Sequence, residues 1–110
     1  MTSTGELRHV LSLQECIRVP DGGGGRTEYW QDIANDAIVF AALAPANAGL
    51  EAESRRLSHG TEWRIILRYR DDITPQLRLC DEAYSYRILS LRDMDDRRAY
   101  LEITAAREDL

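Results

Sequence analysis

The sequence predicts a mainly β domain: a small β-barrel or sandwich of about six to seven antiparallel strands, with one short helix in a long inserted loop. Three observations carry this. Seven segments read as strands, most of them alternating apolar and polar residues with a period near two. Clusters of Gly, Pro and Asp separate them at close intervals. The chain has 110 residues, near the modal size of one domain, which allows one thin core. Residues 1–110 are therefore expected to form a single domain, with 1–5 and 107–110 frayed.

Residues 7–19 place Leu7, Leu11, Leu13, Ile17 and Val19 on one face, as a half-buried strand requires. Pro20, Asp21 and the run Gly22–Gly25 break the pattern and predict a loose turn. Residues 26–33 alternate again, so the first two strands read as a long hairpin. Residues 37–43 are apolar on both faces, which predicts a strand inside the barrel. Residues 45–58 change character, being rich in Ala, Glu and Arg. Leu50, Ser54 and Leu57 fall at helical spacing and Asn47 can cap the start, so a helix is expected over 48–57. Residues 61–70 form the clearest strand, with Trp63, Ile65, Leu67 and Tyr69 opposite Arg64, Ile66, Arg68 and Arg70. The last three strands are expected at 77–80, 84–92 and 98–106, joined by acidic turns at Asp81-Glu82 and Asp93-Met94-Asp95-Asp96.

Composition narrows the function. The net charge of −5 disfavours a surface that adheres to phosphate backbones or anionic lipid. All fourteen basic residues are arginine, which forms planar two-point pairs with carboxylates and so suits protein contacts. No apolar run approaches the roughly 20 residues of a membrane-spanning helix. The first residues lack the basic-then-apolar pattern of a signal peptide, so a cytoplasm with free thiols at Cys16 and Cys80 is expected.

Chemical motifs are weak throughout. The glycine run has no Gly-Lys-Ser/Thr ending and no following helix, so it reads as a hairpin tip rather than a phosphate loop. Asp93, Asp95 and Asp96 lack the glycine and closing glutamate of a calcium loop. His9 and His59 stand apart from each other and from both cysteines, which argues against zinc. No serine sits in a nucleophile motif. No cofactor is expected, and no enzyme. Three arginines on one strand face need acids opposite them, in the fold or on a partner. The Arg64/Arg68/Arg70 face beside Tyr69 is also the one candidate for stacking single-stranded nucleic acid.

Several segments then fall into a familiar order. They are Leu7-Arg8-His9-Val10-Leu11-Ser12-Leu13-Gln14, Asp21-Gly22-Gly23-Gly24 and Tyr29-Trp30. Next come Ile65-Ile66-Leu67-Arg68-Tyr69-Arg70-Asp71-Asp72-Ile73-Thr74-Pro75 and Tyr86-Arg87-Ile88-Leu89-Ser90-Leu91-Arg92-Asp93. Arg97-Arg98-Ala99-Tyr100-Leu101-Glu102-Ile103 closes the series. This order resembles the phage head–tail joining family, also called head-completion, head-closure or stopper proteins. Gene transfer agents, which are phage-like particles, carry similar proteins.

The resemblance implies a β-barrel subunit that assembles as a ring beneath a portal-bound adaptor. Such a ring retains packaged DNA, docks a tail terminator or tail tube protein, and lets double-stranded DNA pass. It also implies a place at the virion neck, after assembly in a bacterial cytoplasm, with no membrane partner. On this reading the 44–60 excursion contacts the channel or the next ring through Asn47, Leu50, Glu51, Glu53, Arg55, Arg56 and His59. Arg64, Arg68, Arg70, Asp93, Asp95 and Asp96 then form the subunit interface. The competing reading is a cellular β-barrel module that binds peptide or single-stranded nucleic acid.

Overall fold

A computed structural model describes residues 7–46 and 62–110. Seven strands follow in chain order. They are β1 (His9–Pro20), β2 (Arg26–Asp32), β3 (Ile38–Pro45), β4 (Glu62–Arg68), β5 (Arg78–Cys80), β6 (Tyr84–Asp93) and β7 (Tyr100–Asp109). Every strand that the periodicity predicts is present. The helix expected over 48–57 lies outside the described residues, as do residues 1–5.

All pairings are antiparallel, and β1 organises them. Its first part, His9–Ser12, pairs with β3. On its other edge, Ser12–Gln14 pairs with β5. The ladder then runs from β3 through β4, β7 and β6 back to β5. Six strands thus close into a barrel, which removes most of the open sheet edge. The rest of β1 continues past the barrel and pairs with β2 from Gln14↔Asp32 to Pro20↔Arg26. β2 and β3 therefore lie end to end along one edge of β1. Leu13 bridges them, donating its N–H to Ala37 and accepting from Ile33.

The inside of the barrel is filled by alternate side chains. Leu11 and Leu13 of β1, Val39 and Ala41 of β3, Ile65 and Leu67 of β4 meet Leu79, Tyr86, Ile88, Leu101, Ile103 and Ala105. β4 and β5 stand opposite each other in the ring, so the 69–77 connection crosses one end of the barrel, and Ile73 within it is buried against the core. At Leu89, which is exposed, the β6–β7 register slips between Ile88 and Ser90, a bulge that brings Leu91 back toward the core opposite Ile103.

Three expectations need correction. β3 is buried on one face only: Ile38 and Phe40 alternate with the core residues and are more than half exposed. Its outward face is apolar without being interior. The glycine turn is held rather than loose. Asp21 Oδ1 accepts the N–H groups of Gly23 at 2.9 Å and Gly25 at 3.1 Å. Gly22 and Gly24 take positive φ, at 83° and 86°, which glycine adopts without steric cost. Finally, the C-terminal residues do not fray at 107: β7 runs to Asp109, and the N–H of Leu110 donates to Ala83.

Candidate assembly surface

The described residues offer surfaces rather than a catalytic pocket. The first is the arm made by β2 and the distal part of β1. All seven β2 residues are exposed. One face of the arm carries Ile17 opposite Tyr29 and Val19 opposite Thr27. The other carries Arg18 opposite Glu28, joined at 3.1 Å, and Trp30, over which the Arg78 guanidinium lies 4.5 Å from the ring centre. The even spacing that hides Leu11 and Leu13 in the barrel thus presents the same face to solvent beyond it.

The second surface is the outside of β1, β3 and β4. Val10 stands opposite Phe40 and Ser12 opposite Ile38, so three exposed apolar side chains sit together. Beside them is a cleft of about 270 Å³ lined by Leu7, Ile38, Phe40, Arg68 and Arg70, among others. A shallower depression lies between His9, Val10 and the β5–β6 turn. Asp81 shapes that turn by accepting the N–H groups of Ala83 and Tyr84, both at 2.8 Å.

The arginines of the clearest strand divide. Arg64 and Arg68 lie on the outward face of β4. Arg64 reaches Glu102 of β7 at 3.8 Å, and Arg92 of β6 meets the same carboxylate at 2.8 Å. Arg70 departs from the expected strand face because β4 ends at Arg68. It turns back onto its own chain, donating to Asp72 at 2.7 and 2.9 Å and to the carbonyls of Asn35 and Asp36. That hydrogen bond holds the Asp72 carboxyl below its ordinary pKa and raises the already high value of Arg70. Its cationic head is therefore engaged within the fold.

The acidic turn after β6 is a short 3-10 turn, Met94–Asp96. Asp93 closes it by accepting the N–H of Arg98 at 3.0 Å on both oxygens. Asp95 and Asp96 take positive φ and stay exposed. Among the described residues no three metal-ligating side chains gather. Asn47, Leu50, Glu51, Glu53, Arg55, Arg56 and His59 lie outside the described residues.

Sequence reasoning missed one constellation. Arg107 lies 4.0 Å from the ring centre of Trp63 and 4.1 Å from that of Tyr84, at the end of the barrel where β4 and β6 begin. A charged tail reads as solvated, and no local signal marks an arginine that stacks on two distant rings. Burial pushes the Tyr86 phenol and the Cys80 thiol above their ordinary pKa values, with a hydrogen bond from Arg107 opposing the shift at Tyr86. Both cysteines are free thiols.

A chain of the virion of a native gene transfer agent particle has the same fold, with a TM-score of 0.64 and 25% identity over 94% of this chain and 96% of that one. Protein SF1141 from Shigella flexneri 2a matches with a TM-score of 0.66 and 22% identity over 96% of each chain, a likeness of fold alone. No curated protein sequence matches significantly. The family model for phage head completion proteins spans residues 2–108. An apolar-faced arm, an outer apolar patch and ordered turns agree with a role carried by surfaces, and the match over nearly the whole length shows that this chain belongs to the phage head completion protein family, a structural, non-catalytic component of phage and phage-like particles.

Proposed function

We propose that the chain is the repeating subunit of a ring at the particle neck, which closes the filled head and receives the tail. The observation that carries this is the likeness to a chain of a gene transfer agent virion along 94% of the sequence. In this reading the ring sits beneath the portal and its adaptor, keeps packaged double-stranded DNA in place, and docks a tail terminator or tail tube protein. The subunit is made in the bacterial cytoplasm and stays in the particle.

The physics supports each part. One patch meeting a different patch on the next copy closes into a ring when the rotation closes. A side-chain-filled barrel is a rigid block, so the passage for DNA is the hole between copies. A net charge of −5 gives that passage few fixed contacts with phosphate, so DNA can move through it. The outer patch around Phe40 with Arg68 beside it, Arg64 farther along β4, and the acidic turn at Asp93, Asp95 and Asp96 are the surfaces we assign to neighbours.

Removing the gene tests the reading. Heads should fill with DNA and then lose it, and tails should remain unattached. Restoring the gene in trans should restore complete particles. Normal yields of tailed, DNA-filled particles without the chain would overturn it.

A further inference from the structure

The arm has two unused strand edges. Among the described residues, nothing pairs with the outer edge of β2, and β5 leaves β1 after Gln14. The bare edges, 15–20 on β1 and 26–32 on β2, are of similar length and run in opposite directions. β2 has seven exposed residues including Tyr29 and Trp30, with neither proline nor a bulge, while the β1 edge ends at Pro20, which has no N–H to give.

We propose that the arms of neighbouring copies pair edge to edge, β2 of one against the β1 extension of the next, so that the ring contains a second barrel built from arms alone. This rests on the ring reading above. A rotation about an axis along the arm brings β2 beside the next copy's β1 at the same height. The pairing is then antiparallel, as it is within each arm.

The side chains fit that register. Within one arm Arg18 faces Glu28 at 3.1 Å. At equal height the next copy's Arg18 meets the other side of Glu28, so charge alternates around the whole ring. On the opposite face Ile17 and Tyr29 alternate in the same way, which places apolar surface against apolar surface. A slide of two residues in one direction would set Arg18 against Arg26, and a slide in the other would set Arg18 against Trp30 and Glu28 against Pro20. Of these three registers, only the one at equal height pairs Arg18 with Glu28.

Cross-linking in assembled particles tests this. In a Cys16→Ser background, chains carrying Val19→Cys and chains carrying Thr27→Cys are produced together and the particles oxidised. Disulfide-linked pairs of the two chain types are expected, because facing residues on paired strands lie within about 4.5–5.5 Å. Tyr29→Cys alone should give few linked dimers. Efficient Tyr29→Cys dimers would overturn the proposal in favour of a two-fold pairing of β2 with itself, in which Arg26 meets Asp32. Unmodified particles give the second measurement: exchange of the outward amides of Cys16, Arg18, Arg26, Glu28, Trp30 and Asp32 should slow at least about tenfold on assembly. Unchanged exchange in particles that do contain a ring of this chain would defeat the arm barrel and leave the ring standing. Particles whose neck holds no ring of this chain would defeat both.

Discussion

Arg107 stacks its guanidinium on Trp63, 4.0 Å from the ring centre, with Tyr84 at 4.1 Å. One residue of β7 thereby ties β4 to β6 at the end of the barrel. Trp63 Nε1 is buried and has no hydrogen-bond partner among the described residues, so the ring is held by its packing against the core and by the stacked guanidinium. Two cation–π contacts and the buried stem make Arg107→Ala cost about 1–3 kcal/mol. Arg107→Lys should recover only part of this. Thermal melts check it, at about 4–8 °C per kcal/mol for a domain near this size.

Barrel and arm should respond differently to truncation. Leu13 and Ile65 are fully buried, so Leu13→Ala and Ile65→Ala should each cost about 2–5 kcal/mol in urea denaturation. Val19 is exposed on the arm, and Val19→Ser should stay within about 0.5 kcal/mol while impairing particle assembly. Equal losses at both places would mean that the arm is part of the folding unit.

The Arg70–Asp72 pair sets part of the acid sensitivity. The folded pKa of Asp72 lies below its unfolded value of about 3.9. Its stabilising effect is therefore present above that value and fades as the pH falls through the folded one. The carboxylate is partly exposed, so the effect is small. Asp72→Asn should flatten the acid limb of a stability-against-pH curve. Tyr86 acts at the other end: its raised pKa means stability is lost as the pH rises through that value, and Tyr86→Phe should remove this loss.

At the arm tip, backbone geometry restricts the residue type. Gly24 has φ of 86°, and a Cβ on Gly25 would lie 2.8 Å from an Asp21 oxygen. Gly24→Ala should loosen the tip by about 1–2 kcal/mol, the cost of a left-handed residue with a side chain. Faster amide exchange confined to the arm, with an unchanged barrel, is the expected signature.

Arg64→Glu would set a second carboxylate beside Glu102, which Arg92 also holds. The pair is near the surface, so the monomer should lose about 1 kcal/mol or less. Ring or particle assembly should fall much further, as native gels or particle counts would show. A fall in the melting temperature as large as that of a core variant would place the work of Arg64 inside the fold.

Much of this was readable from the sequence. Period-two alternation around Leu11, Ile65 and Ile103 marks core strands because a sheet with one buried face imposes it. The hairpin was visible because its turn is local. What escaped depends on distant partners. The apolar run at Ile38 and Phe40 looks interior, yet nothing among the described residues covers its outer side. Arg70 continues an alternating pattern, but β4 ends before it and carbonyls of the β2–β3 link capture it. Arg107 looks like a solvated tail until Trp63 and Tyr84, far away in sequence, are brought beside it.

The shared first strand also sets an order of events. Pairing of β1 with β2 joins residues close in sequence, and such hairpins form in about 1–10 μs. The seam that closes the barrel joins Ser12 to Cys80, so it must wait for a long stretch of chain. At about 5–20 residues per second, synthesis alone delays that seam by seconds. The arm can therefore form while the barrel beneath it is still open, and nascent chains on neighbouring ribosomes expose a sticky edge before they have a finished body.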